Sequence, residues 1–133
     1  MALVTGLNSG SSFDGIDVVH VEITNGLDGY PARPKFIMGK SYDWPERVAE
    51  IVLRAFESKI TLFELMRLNY LAGAVNAESA RALMREARLN PGDVEVIGYD
   101  GQTIYQEPPV HHLLRNYDDR EDLVSRWLDG PYP

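Results

Sequence analysis

A short polar loop between two apolar runs carries the residues best suited to chemistry. It reads Gly6-Leu7-Asn8-Ser9-Gly10-Ser11-Ser12-Phe13-Asp14-Gly15-Ile16-Asp17. Its three glycines allow positive φ and close approach of the backbone to a ligand. Ser9, Ser11 and Ser12 add hydroxyl donors, and successive N–H groups of a turn form anion-binding nests. Asp14 and Asp17 add carboxylates that can bind hydrated Mg²⁺. The residues of this loop therefore predict a phosphate-binding site.

Two common phosphate motifs are excluded for this loop. No Gly-Lys-Ser/Thr follows it, as a Walker loop requires, and no helix opens after it, as a dinucleotide-binding fingerprint requires. Composition alone leaves a serine-rich hairpin turn without a ligand equally open, because Gly and Ser are ordinary turn residues.

The flanking runs predict strands. Ala2-Leu3-Val4 leads into the loop, and the run from Ile16 to Ile23 alternates, with Val19, Val21 and Ile23 on one face. We expect a β-hairpin from Val4 to Asp17 with no helix inside it. Turn residues follow, and 34–42 reads as a third strand, which gives an antiparallel meander.

Two helices are predicted next. Asp43 is the expected cap of the first, with Pro45 in its first turn. Thr61 and Glu64 form a capping box for the second, whose apolar stripe blurs near Asn76, where a long helix could kink. The stripes predict core packing. They comprise Val48, Ile51, Val52, Ala55, Phe56, Leu62, Leu65, Leu68, Ala72, Val75, Leu83, Met84 and Ala87.

A short strand is expected over 94–99, buried and parallel to the first, because a helical crossover precedes it. Asp100, Gln102 and Thr103 follow its end, and ligands bind beyond the carboxyl ends of parallel strands. An alternative is that Gln102-Thr103 continues a hairpin strand.

The last part of the chain carries weaker signals. His111-His112 invites a metal interpretation, but neighbours on a strand point to opposite faces, which favours solvent-exposed histidines. A short helix is expected to begin within 119–122. Its apolar patch comprises Leu123, Val124, Trp127 and Leu128.

Bulk composition narrows the classes of protein. The 133 residues are 44% hydrophobic and carry 20 acidic against 13 basic residues, a net charge of −7. Without a basic cluster, nucleic acid is not an expected partner. The absence of cysteine excludes disulfides and thiolate zinc sites. No signal peptide or long apolar stretch is visible, so we expect a soluble cytoplasmic protein with no membrane partner.

Two segments carry a family resemblance. Gly6 to Asp17 resembles the opening signature of the anhydro-N-acetylmuramic acid kinases, Gly-Leu/Val-Met-Ser-Gly-Thr-Ser-Leu-Asp-Gly-Ile/Val-Asp. Gly101-Gln102-Thr103-Ile104-Tyr105-Gln106-Glu107-Pro108 is similar to the family's Gly-Gln-Thr-Val-x-His-Glu-Pro, which a His precedes. The resemblance implies an α/β fold, part of an actin-like (ribonuclease H-like) ATPase lobe with a three-stranded meander, helices and a parallel strand.

The resemblance also implies site residues. ATP phosphates would be held by Gly10, Ser11, Ser12, Phe13, Asp14, Gly15, Ile16 and Asp17. Mg²⁺ would sit at Asp14, and the anhydro amino sugar would contact Asp100, Gln102 and Thr103. Asp100 stands where most members have His, which puts the sugar preference in doubt, and Asn8, Ser11, Phe13 and Gln106 also depart from the pattern. These variants resemble a fungal branch.

The resemblance extends over only the first part of the family's length. Residues 1–133 are expected to be the N-terminal portion of the first lobe, with the second lobe and the general base beyond this sequence. The implied reaction opens the 1,6-anhydro ring with water while ATP phosphorylates O6. The alternative is a degenerate, non-catalytic module that binds nucleotide, docks on a complementary lobe or self-associates.

Overall fold

A computed structural model describes residues 1–105 and 118–128 of the chain. Gln106 and the predicted solvent-exposed pair His111-His112 lie outside these residues. The elements in chain order are β1 (Ala2–Asn8), β2 (Ile16–Ile23), β3 (Lys35–Tyr42), α1 (Glu46–Phe56), α2 (Leu62–Glu86), a 3₁₀ turn (Pro91–Asp93), β4 (Val96–Tyr99) and α3 (Arg120–Leu128). Helix α3 confirms the short helix expected after Asp119.

The four strands form one mixed sheet in the order β3-β2-β1-β4. β1 pairs antiparallel with β2, and β2 with β3, which confirms the meander and the hairpin around the polar loop. β4 pairs parallel with β1, as the helical crossover predicted. The fold is therefore α/β, as expected, and consistent with part of an actin-like ATPase lobe.

Helix α2 covers one face of the sheet. The even-numbered side chains Ile16, Val18 and His20 of β2 point into this core, with exposed fractions of 0%, 2% and 0%. The alternation in β2 was predicted correctly, but the more apolar face, at Val19 and Val21, is only partly buried. Packing against the helix therefore selects the face that contains a histidine.

The start of α1 corrects a prediction. The helix begins at Glu46 with Pro45 as the residue before it, and no side chain caps it. The Pro45 carbonyl accepts the N–H groups of Val48 and Ala49 at 2.8 and 3.0 Å. Asp43 as cap was therefore wrong. Pro45 keeps extended backbone angles, so the helix starts too late for Asp43 to reach its first N–H groups.

The capping box of α2 is confirmed. Glu64 N donates to Thr61 Oγ1 at 3.2 Å, and Thr61 N donates to Glu64 Oε2 at 2.8 Å. Asn76 and Ser79, where the apolar stripe blurs, lie buried within the continuous helix Leu62–Glu86. Their side chains donate to the carbonyls four residues earlier, at 2.9 and 3.0 Å. Hydrogen bonding along the helix therefore lets polar residues occupy a buried stripe.

Strand β4 is exposed, which overturns the prediction that it is buried. Val96 and Ile97 keep 55% and 56% of their surface exposed. The strand lies at the edge of the sheet, and within 1–105 and 118–128 no other strand pairs with its outer side. Its apolar composition was correctly read as strand, but burial depends on a neighbour, which composition does not specify.

An aromatic contact anchors the polar loop to the helices. Phe13 has φ +53° and packs on Trp44 and Phe56, with ring centroids 5.3 and 5.9 Å away. A left-handed conformation costs a non-glycine residue about 1–2 kcal/mol, so the packing must offset that strain.

Within the described part of the chain, no helix is both long and apolar enough to cross a membrane.

Phe13→Ala should lower the free energy of unfolding by about 2–3 kcal/mol, because the substitution removes the aromatic contacts and leaves a strained backbone. Phe63→Ala is the matched control, since Phe63 is 63% exposed. It should cost less than about 1 kcal/mol, the strength of its exposed contact with Arg67. Urea unfolding measures both, and equal losses would contradict the anchoring role of Phe13.

The buried His20 predicts a pH dependence of stability. Burial lowers the pKa of His20 below its ordinary value of 6.5, and its Nδ1 lies 2.9 Å from Thr5 Oγ1. The unfolded chain then binds the proton more readily, so stability is fully present above about pH 6.5 and is lost as pH falls below it. The slope should approach at most about 1.4 kcal/mol per pH unit. Unfolding curves between pH 7.5 and 5.5 measure it, and His20→Val should remove the slope. A slope unchanged in this variant would contradict the assignment.

Candidate functional site

The two motifs meet at one edge of the sheet. β1 and β4 run parallel with Leu7 opposite Tyr99. The loop that follows Asn8 and the segment that follows Tyr99 therefore leave the sheet side by side, although about 90 residues separate them in sequence.

Direct contacts join the two segments. Gln102 Nε2 donates to the Gly10 carbonyl at 2.9 Å, and Ser9 Oγ donates to the Gly101 carbonyl at 3.5 Å. Residues 101–105 are irregular rather than a strand, which excludes the hairpin alternative for Gln102-Thr103. Ser9 is only 2% exposed, so its hydroxyl serves this contact rather than the open side of the loop.

The loop between β1 and β2 presents an open polar surface. Gly10 has φ +56°, and its N–H donates to Asn8 Oδ1 at 2.8 Å. Ser11 and Ser12 are exposed, and Ser12 Oγ donates to Asp14 Oδ1 at 2.9 Å. Asn8, which stands where the family pattern has Met, therefore uses its side-chain oxygen to shape the turn.

Three of the predicted loop residues have their side chains or α-carbons against protein. Ile16 is fully buried in the core, and Phe13 packs on the aromatic rings of Trp44 and Phe56. A Cβ on Gly15 would lie 3.3 Å from the Tyr42 carbonyl oxygen. Ile16, Phe13 and Gly15 can therefore reach a ligand only through their backbone atoms.

A groove of about 440 Å³ lies beside the loop, on the sheet face opposite α2. Asp17 and Asp100 are both exposed and both line it. Gly6 and Gly98 also line it and leave room because they carry no side chains. Ser41 Oγ donates to Asp17 Oδ1 across the β2–β3 pair. The fold thus groups Asp17 with the second motif as well as with the loop.

Tyr99 fixes the strand end from the other face. Asn76 Nδ2 donates to the Tyr99 hydroxyl at 3.2 Å. Burial, and secondarily the Asp100 carboxylate, raise the pKa of Tyr99 above its ordinary value. The hydroxyl therefore keeps its proton at neutral pH and remains able to donate it to a further acceptor.

The loop fits Mg²⁺ bound together with phosphates better than a closed metal cage. Within the described residues, no group of three His, Cys, Asp or Glu side chains is placed to hold a metal. Mg²⁺ characteristically binds through one or two carboxylates, waters and substrate phosphates. The exposed Asp14 carboxylate beside Ser12 matches that donor set.

Sequence reasoning missed two residues that position the site, Ser41 and Trp44. Ser41 contacts Asp17, and the two residues are paired in the β2–β3 register. This pairing can be assigned only when the bounds of β3 are known. Trp44 was given no role from the sequence, whereas it packs on Phe13. No local pattern marks such a contact, because it depends on how α1 packs against the loop.

Comparison with known proteins places these motifs in one family. The profile of the family described as anhydro-N-acetylmuramic acid kinase matches residues 2–118. A curated protein with that name from Caldanaerobacter subterraneus subsp. tengcongensis is 34% identical over 108 residues, which are 80% of this chain and 26% of the relative. Others are from Microcystis aeruginosa (31% identical, 84% and 28% covered) and a Sulfurovum species (28% identical, 77% and 27% covered).

The match extends over most of this chain but only part of those proteins. The chain spans about a quarter of the length of these curated relatives. The family profile includes both the loop after β1 and the segment after β4. The chain belongs to the anhydro-N-acetylmuramic acid kinase family, in its N-terminal region.

Proposed function

We propose that these residues form the phosphate-binding loop and part of the sugar cleft of an ATP-dependent kinase of 1,6-anhydro-N-acetylmuramic acid. The observation that carries the proposal is the contact of Gln102 with Gly10, because it puts both family motifs at one sheet edge. A phosphotransferase needs its two substrates adjacent, and the two motifs lie side by side at this edge.

The loop is the proposed ATP side. The backbone from Gly10 to Asp17, with the hydroxyls of Ser11 and Ser12, would receive the phosphate oxygens. Asp14 would hold Mg²⁺, which neutralises charge on the phosphates when bound. Phe13 and Ile16 would act by fixing the loop backbone, since their side chains pack into the protein.

The groove beside the loop is the proposed sugar side. The Asp100 carboxylate would accept hydrogen bonds from sugar hydroxyls, and the exposed Thr103 hydroxyl can donate or accept. Gln102 contacts the loop through the Gly10 carbonyl. An Asp at position 100, where most members have His, would favour hydroxyl donors on the sugar over acceptors.

The proposed reaction opens the anhydro ring with water and phosphorylates O6. A general base must activate that water, and we assign none of the described residues to this role, because Asp14 and Asp17 belong to the phosphate side. We place the base in the part of the kinase that corresponds to the remaining three-quarters of the relatives' length.

The exposed edge of β4 also fits the second candidate function, a docking module derived from a degenerate kinase.

Gly10→Ala should weaken MgATP binding about tenfold. Gly10 adopts φ +56°, so an alanine there would move the loop backbone to a negative φ. Returning to the binding conformation would then cost about 1–2 kcal/mol. Gly29→Ala is the matched control, since Gly29 has φ +82° in a distant turn with open space around it. An NMR titration of both variants with MgATP measures the difference. Equal affinities would contradict the assignment of the loop.

The 133-residue chain alone should show no sugar-dependent release of ADP. Without the positioning of ATP against the sugar, roughly 7–11 kcal/mol of the lowering of the activation free energy is lost. The lack of a general base reduces the rate by a further factor of about 10²–10⁴. MgATP should bind no tighter than about millimolar, which corresponds to roughly −4 kcal/mol. A coupled assay with anhydro-N-acetylmuramic acid tests this, and turnover with micromolar binding would show that these residues assemble a competent site.

A further inference from the structure

We infer that Gln102 is a positioning residue for the phosphate loop rather than a ligand of the sugar. The inference rests on the proposed function, because it assigns a role within the same site. The side-chain Nε2 of Gln102 donates to the Gly10 carbonyl and to the Thr103 carbonyl, both at 2.9 Å.

These two bonds use both hydrogens of the side-chain amide. The Oε1 atom is buried and no described residue donates to it. Gln102 could therefore donate to a sugar oxygen only by giving up its bond to the Thr103 carbonyl or its bond to the loop. The neighbouring Asp100 and Thr103 are exposed and carry no such commitment, so they are better placed to meet a ligand.

The bond to Gly10 determines the direction of the next N–H group. A trans peptide is planar, so its C=O and N–H point in opposite directions. When Gln102 holds the Gly10 carbonyl, the Ser11 N–H points away from Gln102. No described residue accepts a hydrogen bond from this N–H. It is therefore a free donor of the loop.

The same peptide segment is held from its other side. Gly10 N donates to Asn8 Oδ1 at 2.8 Å, and the positive φ of Gly10 lies between the two bonds. Asn8 and Gln102 thus fix the two peptide groups that flank the Gly10 α-carbon. With both bonds in place the Ser11 N–H is oriented before any phosphate arrives, which reduces the cost of ordering the loop on binding.

The position of Gln102 depends in turn on β4. Asn76 in α2 donates to the Tyr99 hydroxyl at 3.2 Å at the strand end, and Gly101 turns the chain with φ +80°. Gln102 therefore transmits the placement of the second motif to the phosphate loop. A sugar that moves the segment at Asp100 to Thr103 would shift the Ser11 N–H through this link.

The test compares Gln102→Glu with wild type in the whole chain. The substitution keeps the shape of the side chain, removes both donors and puts a carboxylate against the Gly10 carbonyl. Asn69→Asp is the matched control, because Asn69 lines the same cavity as Gln102 and undergoes the same change from amide to carboxylate. The probe is magnesium with inorganic tripolyphosphate, which isolates the phosphate contacts from adenine and sugar.

Two readouts are needed. In the ligand-free protein, NMR should detect scalar coupling across the hydrogen bond from the Gln102 side-chain nitrogen to the Gly10 carbonyl carbon. Gln102→Glu should shift the Ser11 amide resonance while leaving those of the core unchanged. In the titration, Gln102→Glu should weaken binding of magnesium tripolyphosphate about tenfold, whereas Asn69→Asp should change it less than about twofold.

The outcomes separate the two proposals. Absence of the coupling, an unmoved Ser11 resonance in Gln102→Glu, or equal affinities in the two variants would overturn the positioning role. A wild-type chain that shows the coupling but has no affinity for magnesium tripolyphosphate would overturn the phosphate assignment of the loop and leave the link from Gln102 to Gly10 supported.

Discussion

The site depends on one pairing, the parallel register of β1 and β4. Leu7 lies opposite Tyr99, so the loop after Asn8 and the segment after Tyr99 emerge next to each other. Side chains of a strand alternate between faces, so a slip of one residue would turn Asp100 and Gly98 toward α2 and Tyr99 away from it. The bond from Asn76 to the Tyr99 hydroxyl opposes such a slip. One polar contact between α2 and β4 thereby stabilises the geometry of the site.

The charge of the site makes a metal ion central to the proposed function. Asp14, Asp17 and Asp100 are all exposed around the loop and groove, in a chain whose net charge is −7. Free triphosphate would be repelled by these carboxylates, and the described loop offers only N–H and hydroxyl donors against that repulsion. Magnesium bound between carboxylate and phosphate reverses the sign of the local electrostatic potential, so the affinity for ATP should depend strongly on the metal.

Local patterns in the sequence were sufficient to predict the elements and the motif positions, but not the packing. The alternation in β2 and the capping box at Thr61 each act within a few residues, so they were predicted correctly. The parallel pairing of β4 with β1 was predicted from the general rule for a helical crossover. The exposure of β4 was not, because it depends on which strand lies beside it. The role of Gln102 could not be predicted either, since its contact with Gly10 spans 92 positions. Resemblance to a family located the motifs, whereas the contact between them required the fold.

The most direct test of this account is the location of the metal in a complex of the chain with Mn²⁺ and ATP. Mn²⁺ replaces Mg²⁺ and broadens NMR signals in a distance-dependent way, so it marks its own position. The account predicts the strongest broadening at the amides of Ser12 and Asp14, weaker broadening at Gln102, and none at the distant turn around Gly29. Broadening centred on another surface, or the same broadening with Mn²⁺ whether or not ATP is present, would contradict a phosphate site at this loop.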